Sequence, residues 1–127
     1  MIYLDTSVVL AHLLGETRRP PAALWEQALV SSRLLEYELW TQIHARNLAA
    51  SHAEATRGLL AEIAFVELVP HVLARALEPF PVPARTFDAL HTASIEFLRA
   101  RDRTLSLATY DARMQRAAHA MELPLFA

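Results

Sequence analysis

Met1-Ile2-Tyr3-Leu4-Asp5-Thr6-Ser7-Val8 opens the chain as an apolar, β-prone run, broken by an acid and two hydroxyl residues before helical spacing sets in through residue 14. Strand, acid, hydroxyls and helix in that order are the beginning of an α/β unit. The same grammar returns near the other end, where Leu105-Ser106-Leu107-Ala108-Thr109 reads as a strand, followed by Asp111 and a helical stretch over residues 111–121. Between them, residues 29–32 and 65–69 read as strands, and residues 123–126 as a final short one. Helices are expected over residues 22–29, 34–47, 71–77 and 86–101, and over residues 51–64, where Ser51 and Glu54 stand at capping-box spacing. Pro79, Pro81 and Pro83 make a stiff connector too short to link two domains. Four to five short strands alternating with helices predict a short central parallel sheet with helices on both faces, a three-layer α/β/α architecture.

A chain of 127 residues with 54% hydrophobic and 20% charged residues suffices for one domain with a real core, spanning residues 1–127. The formal net charge of -2 leaves no diffuse basic surface for sequence-blind nucleic-acid binding, so any phosphate must be attracted by something else. Cysteine is absent, which removes disulfides, thiolate nucleophiles and thiolate metal sites. All 12 basic residues are Arg, which excludes P-loop lysine chemistry and Schiff bases, and two glycines cannot build a Gly-rich phosphate cradle. No stretch reads as a signal peptide or a membrane span, and a soluble cytoplasmic protein is expected.

The four aspartates are Asp5, Asp88, Asp102 and Asp111. Asp5 and Asp111 lie at or just beyond predicted strand ends, and those ends share one edge of a parallel sheet, where ligands bind. Asp88 falls in the first turn of the helix over residues 86–101, and Glu38 falls inside the helix that follows the second strand. Each acid taken alone serves equally as a helix cap or a solvated residue. Together they predict one pocket of four carboxylates with no Lys available and no Arg as sequence neighbour. Clustered like charges need a cation, and all-oxygen ligands suit hard ions such as Mg²⁺ or Mn²⁺.

These same residues carry a resemblance. Ile2-Tyr3-Leu4-Asp5-Thr6-Ser7-Val8 resembles the start of a PIN domain; Ser32-Arg33-Leu34-Leu35-Glu36-Tyr37-Glu38-Leu39 resembles its second motif, Phe87-Asp88-Ala89-Leu90-His91-Thr92-Ala93 its third, and Leu107-Ala108-Thr109-Tyr110-Asp111 its fourth. The four motifs follow the family's order across nearly the whole chain, and the short format is similar to the VapC toxins of bacterial type II toxin–antitoxin pairs. Glu38 takes the second acidic position, with Glu36 as the alternative; two apart on a helix, they point in different directions. The resemblance implies a Mg²⁺- or Mn²⁺-dependent endoribonuclease that hydrolyses RNA phosphodiester bonds and inhibits growth. It also implies a cognate VapB-like antitoxin, a homodimer, and Asp5, Glu38, Asp88 and Asp111 as metal ligands and catalytic groups. In that scheme metal ions activate a water and stabilise the leaving 3′ oxygen.

Thr6 and Thr109 are candidate supporting hydroxyls or helix caps, and Arg113 and Arg116 candidate contacts to RNA phosphate or solvated arginines. His91 shares a helix face with Asp88 and is expected to pack behind the site rather than to ligate. Trp25, Tyr37 and Trp40 are expected in core or interface. Two rival functions compete with this one. A catalytically silent PIN-like binding protein would keep the fold without the chemistry. A phosphatase using Asp5 as nucleophile calls for an acid two residues on, where Ser7 stands, and for a Lys.

Overall fold

A computed structural model describes residues 1–126. Its elements run β1 (Ile2–Leu4), α1 (Thr6–Leu13), a 3₁₀ turn (Ala22–Glu26), β2 (Leu29–Ser32), α2 (Leu34–Ala45), α3 (Ala49–Leu60), β3 (Ala64–Val66), α4 (Pro70–Ala76), α5 (Thr86–Arg99), β4 (Ser106–Ala108) and α6 (Ala112–Ala120). The strands pair in the order β3-β2-β1-β4, all parallel. Tyr3 sits opposite Val30 on one side and Leu107 on the other, which fixes the register.

Alternation along the strands sorts the core into two halves. Ile2, Leu4, Leu29 and Ala108 face one way, against Val8, Val9, Leu35 and Leu39. Tyr3, Val30 and Leu107 face the other, against Ile95, Met114 and Ala118. Helices α1 and α2 therefore cover one face of the sheet and α5 and α6 the other, giving the three layers that the sequence predicts. β1 is apolar throughout, as a central strand covered on both faces requires, whereas β2 carries the buried Ser31 and Ser32 and β4 begins with Ser106.

Three helices end in the same device. Gly15, Asn47 and Glu122 have positive φ just past α1, α2 and α6. The next residue's N–H then bonds back into the last turn: Glu16 to the Ala11 carbonyl, Leu48 to Ile43 and Leu123 to Ala118.

Some expected boundaries shift. Where a helix is expected over 22–29, a 3₁₀ turn covers only Ala22–Glu26, and Leu29 pairs with Ile2 in β2. Helix α3 begins at Ala49, two residues before Ser51, whose hydroxyl bonds the Leu48 carbonyl rather than forming a capping box. The final strand reduces to a single bridge between Leu125 and Leu107. Among the described residues no helix is long and apolar enough to cross a membrane.

Candidate active site

Strands β1, β2 and β4 run parallel, so their carboxyl ends come out at one edge of the sheet. Asp5 follows β1 directly, Thr109 to Asp111 follow β4, α2 leaves β2 two residues after Ser32, and α5 enters from the far face with Asp88 in its first turn. A cleft of about 600 Å³ opens at this edge, and Asp5, Glu38, Asp88 and Asp111 all line it. Residues 5 and 111 meet only because β1 and β4 are neighbours in the sheet.

Asp5 is buried, at 7% exposure. It precedes α1 at the N-cap position, yet its side chain caps nothing. Its Oδ2 instead accepts hydrogen bonds from Ser7 Oγ and, at 2.8 Å, from Thr109 Oγ1. Each hydroxyl is held from behind by a backbone N–H, that of Tyr110 on Ser7 Oγ and that of Asp111 on Thr109 Oγ1, both at 3.0 Å. The hydroxyl protons are therefore committed to the carboxylate, and the ends of β1 and β4 are tied together through it.

Glu38 sits on α2 and Glu36 outside the cleft. Glu36 pairs with Arg33 at 3.2 Å, and the same guanidinium holds Glu67, at 2.6 Å. Glu38 Oε1 accepts from Thr6 Oγ1 at 2.8 Å and lies 2.6 Å from His91 Nε2. His91, 2% exposed, reaches Tyr3 Oη with its other nitrogen, also at 2.6 Å. The imidazole thus packs behind the acid.

Asp88 and Asp111 differ from Asp5 in having ordinary helix-end duties. Asp111 accepts the Arg113 N–H at 2.8 Å as the N-cap of α6, and Asp88 accepts the Arg85 N–H at 3.3 Å at the start of α5. Both also hold one cation: Arg113 donates from Nε to Asp88 Oδ2 and from Nη2 to Asp111 Oδ2, each at 3.1 Å. The hydrogen bond to Asp88, and then the charge of Asp111, push the guanidinium pKa further up. The acids lack an Arg as immediate sequence neighbour but gain one in space, because Arg113, in the first turn of α6, reaches from its own N-cap Asp111 across to Asp88 on α5. Arg116, one turn further on, is exposed and stands outside the cleft.

The remaining walls are mixed. Leu10, Leu34, Tyr37 and Phe87 supply apolar surface, and Arg85 and Gln42 polar groups. Tyr37, expected in core or interface, is 65% exposed at this rim, whereas Trp25 and Trp40 are half-buried. Two features of the cleft went unread in the sequence. Ser7 was visible only as a missing second acid, and Phe87, Tyr37 and Arg85 carry no signal of their own beyond adjacency to an acid. Among the described residues, no three Asp, Glu, His or Cys side chains stand close enough to enclose one ion as they lie. The carboxylates are turned to hydroxyl and guanidinium donors instead.

A parallel α/β/α domain with four acids at the carboxyl edge of its sheet is the architecture of the PIN family, and the chain belongs to that family: its sequence model matches residues 2–120. The individual relatives point the same way. Ribonuclease VapC35 of Mycobacterium tuberculosis, from the H37Rv and the CDC 1551 strains, is 30% identical over 133 aligned positions, covering 100% of this chain and 96% of the relative.

Proposed function

We propose that this protein is a Mg²⁺- or Mn²⁺-dependent endoribonuclease and the toxin of a VapBC-type pair, acting in the cytoplasm on RNA and restrained by a VapB-like antitoxin. The observation that carries this reading is the convergence of Asp5, Glu38, Asp88 and Asp111 on one cleft. Four carboxylates face two guanidiniums there, those of Arg85 and Arg113. That surplus of negative charge repels a phosphodiester unless a cation offsets it. The donor set is all oxygen, which fits a hard divalent ion, and Asp5, Glu38, Asp88 and Asp111 would hold it. Such an ion, when bound, activates water and neutralises charge developing on the phosphoryl group.

The chain's own residues prepare that chemistry. Ser7 and Thr109 fix the Asp5 carboxylate before any ligand arrives, and Thr6 and His91 fix Glu38. Pre-set acids lose little freedom on binding, which is where rigid supports gain affinity. Arg113, and not Arg116, stands where it can meet a phosphate in the cleft. Tyr37 and Phe87, exposed at the rim, offer faces on which unstacked bases of single-stranded RNA can lie.

The test compares wild type with Asp88→Asn, mapping new RNA 5′ ends with Mn²⁺ and with a chelator. Cleavage that requires both the metal and Asp88 is expected, with 5′-phosphate ends. Equal cleavage by the variant, or in chelator, overturns the assignment.

One observation favours the alternative of a silent PIN-like binding protein: Arg113 already bridges Asp88 and Asp111, as a permanent substitute for a metal ion would. Calorimetric titration with Mn²⁺ decides between them. Binding that Asp5→Asn abolishes supports the nuclease, and no binding to wild type supports the alternative.

The homodimer rests on a separate feature. Val69, Leu73 and Leu77 recur every four residues along and just past α4, at 36%, 42% and 87% exposure, a stripe that the single chain leaves uncovered. Light scattering on Leu73→Glu and Leu77→Glu should show the dimer reduced to monomer; a dimer that survives both places the interface elsewhere.

A further inference from the structure

Tyr3 is central to the sheet, fully buried, and carries a hydroxyl that a core strand does not need. Its Oη meets the Ser32 N–H at 3.2 Å and His91 Nδ1 at 2.6 Å, and the Ser31 hydroxyl, whose own proton goes to the Leu4 carbonyl, also lies within reach. The backbone N–H can only donate, so the Tyr3 oxygen accepts from Ser32 and its proton is free to go to His91 Nδ1 at 2.6 Å. With Nδ1 accepting, the imidazole hydrogen must sit on Nε2, where it donates to Glu38 Oε1 at 2.6 Å. The opposite tautomer would set a lone pair of His91 Nε2 against the Glu38 carboxylate at 2.6 Å.

Thr6 Oγ1 donates to the same oxygen, Oε1, at 2.8 Å. Two donors converge on one carboxylate oxygen, and the hydrogen bonds to Glu38 among the described residues all end there. The second oxygen, Oε2, is the one left for the cleft. The Tyr3 side chain and the Ser32 N–H belong to the sheet itself, so the direction of the whole chain of bonds is set by the most rigid part of the molecule.

We infer that Tyr3 and His91 are positioning residues: Tyr3 fixes His91 in its Nε2–H tautomer, and His91 together with Thr6 holds Glu38 so that it offers a single oxygen, Oε2, to a divalent cation. This deepens the metal-dependent reading above and rests on it. His91 is excluded as a ligand by the same bonds, because both of its nitrogens are engaged. Supports of this kind raise the basicity and fix the orientation of the ligand they touch, and their loss costs metal affinity more than stability.

The experiment reads the tautomer and the metal affinity separately. In metal-free protein, ¹⁵N imidazole shifts should report His91 protonated on Nε2 in wild type and a mixture in Tyr3→Phe. Calorimetry should give a Mn²⁺ Kd about ten-fold weaker for Tyr3→Phe and for His91→Phe. His91→Gln, which can still donate to Glu38, should recover most of that loss, with melting temperatures showing all variants folded. An Nδ1–H tautomer in wild type overturns the inference whatever the variants do. So does His91→Gln binding no better than His91→Phe. Wild type that binds while Asp88→Asn does not, with Tyr3→Phe at wild-type affinity, sinks the positioning role alone. Wild type that binds no Mn²⁺ removes the metal reading itself, and the positioning role with it.

Discussion

Arg113 is the residue on which the chemistry of the cleft turns, because it occupies two of the four acids at once. A cation entering between Asp88 and Asp111 must displace it. Arg113→Gln should therefore tighten Mn²⁺ binding a few-fold, the modest effect of freeing two acids from a solvent-screened ion pair. Unchanged or weaker binding in a calorimetric titration would show that the guanidinium does not compete. Tyr3 makes a second residue-scale prediction. Burial pushes its phenol pKa far above the ordinary value of 10.0. Above pH 10 the unfolded chain releases that proton while the folded chain keeps it, so stability is intact below pH 10 and declines as pH climbs beyond it. Denaturation midpoints across that range should fall more steeply for wild type than for Tyr3→Phe; parallel slopes would contradict the burial of an un-ionised phenol.

At the level of elements, the positive-φ residues after α1, α2 and α6 are unequal. Gly15 and Asn47 tolerate that conformation, whereas Glu122, at φ 55, pays for a Cβ close to its own carbonyl. Glu122→Gly should raise stability by about 0.5–1 kcal/mol, the left-handed strain relieved less the entropy that glycine adds to the unfolded chain. Gly58→Ala, in the last turn of α3 with open space where its Cβ would go, should gain up to a similar amount, about 0.5–1 kcal/mol. Thermal melts check both, and a loss of stability in either would mean that the local backbone is not what limits it. The elements also show what sequence patterning can and cannot convey. β1 was readable as an apolar run ending at an acid, and β2 and β4 as short apolar stretches mixed with serine and bounded by hydroxyl residues. The 3₁₀ turn was not, since the competition for Leu29 between helix and sheet is settled by Ile2, a residue far away in sequence. Asp5 and Asp111 could be picked out by their position at strand ends, Asp88 by its place in the first turn of a helix, and Glu38 by its spacing after Ser32 in a stretch that resembles a family motif. The bridge from Arg113 to Asp88 could not, because it depends on how α5 and α6 pack, which no local pattern encodes.

For the molecule as a whole, a divalent ion that binds only the folded state must stabilise it. At a free Mn²⁺ concentration 100-fold above Kd the gain is about 2.7 kcal/mol, or roughly 10 °C in melting temperature for a chain of this size. Asp88→Asn should show little of that shift; an equal shift in the variant would place the ion elsewhere. The order of the strands has one more consequence. β1 is flanked by β4, which lies far away along the chain, and Asp5 receives the Thr109 hydroxyl only when that pairing is made. Asp5 and Asp111 therefore share one cleft only when β4 docks on β1, and a chain cut before β4 would keep Asp5, Glu38 and Asp88 but lose both Asp111 and the Thr109 hydroxyl that holds Asp5.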